Sequence, residues 1–237
     1  MTAPISAQRW ILRLGAAAAI VGSLAGMVGN LIHPVTPLDD PSGVAHTIAH
    51  SQAWTGIHLV IAAGILLMLG GLLALYIAIP HGLAAALARI GWAAAIVGIT
   101  VGLVLVILDG VAAKQLADSW ATAAPDEKPS ALRDVSANEM VNFALASLFN
   151  IVFAGATFIL YGLAVATSHV FPRWLGWIAV IAGTGSIAAG LIQALVGEPT
   201  TASRILTIIG PTVITLWLAI MGVLMALRAR RLSEPTS

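Results

Sequence analysis

The chain contains no cysteine. That excludes disulfides, thiolate metal sites, cysteine nucleophiles and Cys-ligated iron–sulfur clusters. Any metal must be held by His, Asp, Glu or backbone oxygen. Charge is nearly as scarce, at 9% of residues, and it sums to only +1. A nucleic-acid partner would need a clustered basic face, so that class is set aside. A soluble domain is about a quarter charged and about half apolar. Here 59% of the 237 residues are hydrophobic and the mean hydropathy is +0.98. A water-soluble fold would have too little polar surface to cover itself, so the bilayer is the natural solvent.

What is abundant is the long apolar run. A spanning helix needs about 20 mostly apolar residues. Six runs qualify: Leu14 to Ile32, Trp54 to Ile79, Gly91 to Ala112, Met140 to Ala166, Leu175 to Val196 and Ile205 to Leu227. The first is longer than the h-region of a signal peptide, about 7–15 residues, and is read as a retained helix. The expectation is an all-α membrane protein, one transmembrane helical domain over 1–237, with long polar loops at 33–53 and 113–139. Basic residues set the orientation. With the N-terminus inside, Arg9, Arg13, Arg89, Arg173, Arg228, Arg230 and Arg231 are cytoplasmic, against Lys114, Lys128, Arg133 and Arg204 outside. Both termini are then cytoplasmic. Asp39, Asp40, Asp118, Asp126, Glu127, Asp134, Glu139 and Glu198 fall on the outer side and give it a negative field.

Three runs open alike, on "RWILRLGAAAAIVGSLAG", "RIGWAAAIVGITVG" and "RWLGWIAVIAGTG". Each carries Gly-x6-Gly: Gly15 and Gly22, Gly91 and Gly98, Gly176 and Gly183. Gly64 with Gly71, and Gly155 with Gly162, echo it on two returning helices. Seven residues is nearly two turns, so each pair shares a face on which a neighbouring helix can approach closely. Three repeated helical hairpins would produce this pattern, and so would packing alone.

A polar group in hydrocarbon is costly unless paired or wet. The polar residues within the runs crowd toward the outer leaflet, whereas the inner halves are nearly dry. This fits a pocket open to the outside better than a through-channel. His33, Asn142, Asn150 and Gln193 are its candidate lining, and Asn30 lies beside them. The sharpest local signal is "VAHTIAHSQAWTGIHLV", Val44 to Val60. If Ser42 caps a short helix, His46 and His50 share one face. On a continuous helix His58 would join them within about 120° of arc. His46, His50 and His58 with Asp109 form the candidate metal site, for zinc or copper. The competing reading is that these histidines merely tolerate the interface. Haem is a further alternative, with His33 and His58 as the outer pair. His81 and His169 are read as interfacial.

The hinge in "TSHVFPRWLGWIAVIAGTGSIAAGL", Thr167 to Leu191, resembles that of uncharacterised bacterial, often actinobacterial, six-helix integral membrane proteins classed as domains of unknown function. The preceding helix, "FNIVFAGATFILYGLAVATS", is also similar. The resemblance covers about a third of the chain. It implies a bacterial plasma membrane and no activity. Three functional classes stay open. One is a non-enzymatic binding, sensory or accessory protein with an outward-facing polar pocket. A second is a His-ligated, metal-dependent hydrolase acting on a lipid, with Asp109 or Glu139 as base. The third is a haem-binding electron carrier. No catalytic residue is assigned. Membrane lipids are the expected partners, with a homo-oligomer or a second membrane protein left open.

Overall fold

The computed structural model describes residues 3–37, 39–197 and 200–231. The side chains of residues 3–6 are not described. Glu198, one of the acidic residues assigned above to the outer side, lies outside the described residues. Seven helices and no strand are found among the described residues. They are α1 (Ala3–Ile32), α2 (Pro41–His50), α3 (Trp54–Ala78), α4 (Gly82–Thr122), α5 (Lys128–Thr167), α6 (Arg173–Val196) and α7 (Thr201–Arg231). All but α2 are long and apolar enough to cross a membrane.

The six long helices form a closed ring. Each packs on its chain neighbour among the spans, and α7 closes on α1. The apolar side chains that face outward are those a bilayer would solvate. Leu195 is 86% exposed and Leu31 76%. An apolar surface of this extent in water would drive aggregation. Trp10, Trp174 and Trp177 are exposed at the end that bears both termini. Tryptophans favour the headgroup level of a membrane.

The glycine pairs are contact surfaces. A Cβ on Gly22 would lie 2.7 Å from the Gly64 carbonyl oxygen, and one on Gly71 would lie 2.6 Å from the Cβ of Ala19, so α1 and α3 pack backbone to backbone. Gly98 on α4 meets the backbone of Phe153 on α5. Gly162 and Gly176 face each other's carbonyls between α5 and α6. Gly155 and Gly183 serve the same α5–α6 contact. The glycines of α5 therefore serve α6 rather than their hairpin partner α4.

Two features differ from the sequence reading. Residues 113–139 are helical except at 123–127. Helix α4 has 41 residues. At 1.5 Å per residue it is about 60 Å long, twice the ~30 Å hydrocarbon core. Its last turns and the first turns of α5 therefore project beyond the membrane. Helix α2 packs on this projection through Val44, Ile48, Trp54, Ala113 and Ala117. The cap of α2 is Asp40, not Ser42. The Asp40 carboxylate accepts from the Gly43 N–H at 3.0 Å and from the Ser42 hydroxyl at 2.6 Å. Pro41 then takes the first helical position, where its fixed φ suits a helix start. These two hydrogen bonds hold the Asp40 carboxyl below its ordinary pKa.

Candidate metal centre

Helices α2 and α3 are separate, so His46, His50 and His58 do not share one helix. The break falls at residues 51–53, before Gly56. His46 and His50 stack on each other on the exposed side of α2, with ring centroids 3.9 Å apart. The structure instead brings His58 and Asp109 together with His33. One ligand atom from each of the three lies within 4.8 Å of the others.

Three local features build this cluster. Helix α1 stops at Ile32, which leaves His33 at its end. Trp54, only 1% exposed, packs against both imidazoles, at 4.8 Å from the His33 ring and 5.0 Å from the His58 ring. Asp109 sits in a π-helical turn, Leu108–Ala112. Such a turn leaves backbone carbonyls without their α-helical partners and is common at functional sites. Here α3 supplies the donors: the Trp54 indole N–H bonds the Asp109 carbonyl at 2.7 Å, and the Thr55 hydroxyl bonds that of Gly110 at 2.9 Å. Gly110 is required by the close approach of His58, since any Cβ there would overlap the imidazole's Cβ and Cγ.

The hydrogen bonds fix the chemistry. The His33 Nδ1 faces the Pro34 carbonyl at 2.8 Å, and the His58 Nδ1 faces the Trp54 carbonyl at 2.7 Å. A carbonyl can only accept, so each Nδ1 carries the proton. In the neutral rings each Nε2 then presents a lone pair. The two Nε2 atoms are 3.3 Å apart, and the His58 Nε2 is 3.0 Å from Asp109 Oδ2. Three potential ligand atoms thus converge, an arrangement that either a proton shared between His58 and Asp109 or a metal ion among the three would hold. Two ligands bound to zinc at ~2.0–2.1 Å in tetrahedral geometry lie about 3.3 Å apart. The His–His spacing matches. Backbone carbonyls that hold Nδ1–H are the usual orienting partners of metal-bound histidine.

The cluster stands at the mouth of a cavity of about 410 Å³. Every long helix except α6 contributes to its wall. Asn30, Glu139 and Asn142 line it near the mouth, and Asn150 lies deeper. Met68, Phe153 and Ile214 line its inner part. One turn beyond them Leu72, Phe158, Tyr161 and Trp217 fill the core and are at most 1% exposed. No lysine or arginine lines the cavity among the described residues. Its acidic residues, Asp109 and Glu139, both stand near the mouth.

The other sequence candidates are placed as follows. His33, Asn142 and Asn150 line the cavity. Gln193 is buried and bonds the Phe143 carbonyl at 2.8 Å, but it is not part of the cavity wall. The Asn150 amide donates to the Thr207 hydroxyl at 3.1 Å, tying α5 to α7. Asn142 is 5% exposed, and both its amide nitrogen and its amide oxygen lack a hydrogen-bond partner. The Glu139 carboxylate interacts with this amide but falls short of hydrogen-bond geometry. Trp54, Gly110 and the π turn went unread. A glycine next to the lone aspartate of a span was their only trace in the sequence.

A ring of six membrane-spanning helices with a His–His–Asp cluster over a blind cavity defines a polytopic α-helical membrane protein. Residues 5–222 match the DUF4386 family, a domain of unknown function, and the chain belongs to that family. No curated protein and no solved structure matches it.

Proposed function

We propose that this protein binds a transition-metal ion, zinc or copper, on His33, His58 and Asp109, and that the ion anchors a ligand in the cavity below. The carrying observation is that both histidines turn Nδ1 to a backbone carbonyl and leave Nε2 facing the cluster, where the ligand atoms of His33, His58 and Asp109 lie within 4.8 Å of one another. With three protein ligands a tetrahedral ion keeps one position open toward the cavity. The basic-residue pattern supports a mouth that faces out of the cell from a bacterial plasma membrane. In this reading the protein is a binding or sensory component, and His46 and His50 are interfacial.

The test is metal content. Protein purified without a histidine tag is loaded with zinc, desalted and analysed for metal. Stoichiometric zinc is expected, lost in both His33→Ala and His58→Ala and retained in the His46→Ala/His50→Ala double variant. Equal retention by all of them would overturn the reading. So would a Soret band in the protein as isolated, which would move the His33–His58 pair to haem. A second reading is favoured by Glu139, a further carboxyl group in the cavity wall and close enough to Asp109 to feel its charge. The same site would then be a lipid hydrolase, with water bound to the ion and Glu139 as its base.

A further inference from the structure

We infer that the cavity takes one acyl chain of a neutral amphiphile, a monoacylglycerol being the type, with the head group's oxygens at the ion and at Asn142. The inference rests on the metal reading for its head-group contact. For its chain contact it rests on the cavity alone.

Depth comes first. From His58 to Met68 the wall follows ten residues of α3, about 15 Å, and from Glu139 to Ala154 it follows fifteen residues of α5, about 22 Å. Half of the ~30 Å hydrocarbon core is 15 Å. The cavity is therefore about one leaflet deep and ends where Leu72, Phe158 and Trp217 close the core. Its volume, about 410 Å³, lies within the ~300–1,000 Å³ of small-ligand pockets. Below Asn142 the wall is mostly apolar: Ile65, Met68, Val106, Phe149, Phe153 and Ile214.

Polarity comes second. The amide of Asn142 is 5% exposed, lines the cavity wall, and makes no hydrogen bond of good geometry, with the Glu139 carboxyl as its neighbour. A buried amide left bare is costly, and a ligand that both donates and accepts would satisfy it. A glyceryl hydroxyl does both. Charge decides the rest. With no lysine or arginine in the lining and the carboxyl groups of Asp109 and Glu139 at the mouth, an anionic head group has nothing to pair with except the ion, and the ion in turn repels a cationic one. A hydroxyl or ester oxygen carries no such penalty.

Gly26 supplies a clean perturbation. It lines the cavity, and a Cβ built on it meets no atom within 4 Å. The backbone therefore has room for a side chain here, and leucine is chosen to reduce the free volume of the cavity. The experiment uses the full chain in phosphatidylcholine nanodiscs, loaded with zinc, with zinc content measured alongside. The probe is a monoacylglycerol with a fluorescent chain. Saturable binding is expected, competed by unlabelled monoacylglycerol and not by a fatty acid or a long-chain amine of equal length. Gly26→Leu and Asn142→Leu should each bind about tenfold more weakly or worse, with zinc retained. Zinc retained without saturable binding, or binding that Gly26→Leu leaves unchanged, would overturn the inference and leave the metal site standing. Preference for the fatty acid or the amine would overturn the head-group assignment. Monoacylglycerol binding without zinc would sink the metal reading and keep the chain site.

Discussion

Replacing Asn142 with leucine should make the empty protein more stable. The residue is 5% exposed, and its amide nitrogen and oxygen have no hydrogen-bond partner. An unsatisfied buried polar group costs about 1–3 kcal/mol. Leucine has the same number of side-chain heavy atoms, its greater bulk can extend into the cavity beside it, and it would add apolar burial worth a further ~1–2 kcal/mol. The nearby Glu139 carboxylate offsets part of the amide's cost, and leucine forfeits that contact. A net gain of about 2 kcal/mol is the working figure, or roughly 4–8 °C for a domain of this size. The assay is the thermal midpoint of the metal-free protein in detergent, at one scan rate, because membrane proteins often unfold irreversibly. Asn150→Leu is the control. Its amide donates to Thr207 at 3.1 Å, so the same substitution there breaks a real hydrogen bond and should lower the midpoint. If Asn142→Leu falls as far as Asn150→Leu, the amide is partnered in the folded protein. It would then not be an anchor held open for a ligand.

Two further outcomes follow from the packing and the cap. Gly98→Val should destabilise the α4–α5 contact by about 1–3 kcal/mol, because the new side chain meets the Phe153 backbone at 2.7–2.8 Å; a lowered thermal midpoint checks this. Asp40→Ala should fray α2, seen as faster hydrogen exchange over 41–50 with α3 unaffected. Because hydrogen bonds depress the Asp40 pKa in the folded state, its cap is fully present above the unfolded value near 3.8 and is lost as pH falls below that. Wild type at acid pH should therefore approach the exchange pattern of the variant.

The spans were legible because hydropathy is a property of one segment at a time. The His–His–Asp cluster was less so, because it depends on how segments meet. Spacing within the chain drew attention to His46 and His50, yet their helix ends at His50 and turns away. His33 lies 25 residues from His58 and reaches it through the register of α1 on α3. Gly29 lies against Ile61, and Ala19 against Gly71, so each step up α1 is a step down α3. Extended four residues, that register brings His33 level with Ile57 and His58. The glycine stripes carried this information, but only once a facing partner was assigned to them. Asp109 was visible as a costly intramembrane charge. The π turn that holds it was not, because the Trp54 and Thr55 donors lie some 55 positions away.

The aromatic floor of the cavity has a consequence for what the site can know. Leu72, Phe158, Tyr161 and Trp217 leave no room beneath Met68 and Ile214, and their two polar atoms are both committed to backbone, the Tyr161 hydroxyl to the Leu72 carbonyl at 2.9 Å and the Trp217 indole N–H to the Leu175 carbonyl at 2.8 Å. An ion held at the cluster, as proposed above, would therefore exchange only with the side on which the mouth opens, and its occupancy would report that compartment and not the gradient behind the floor.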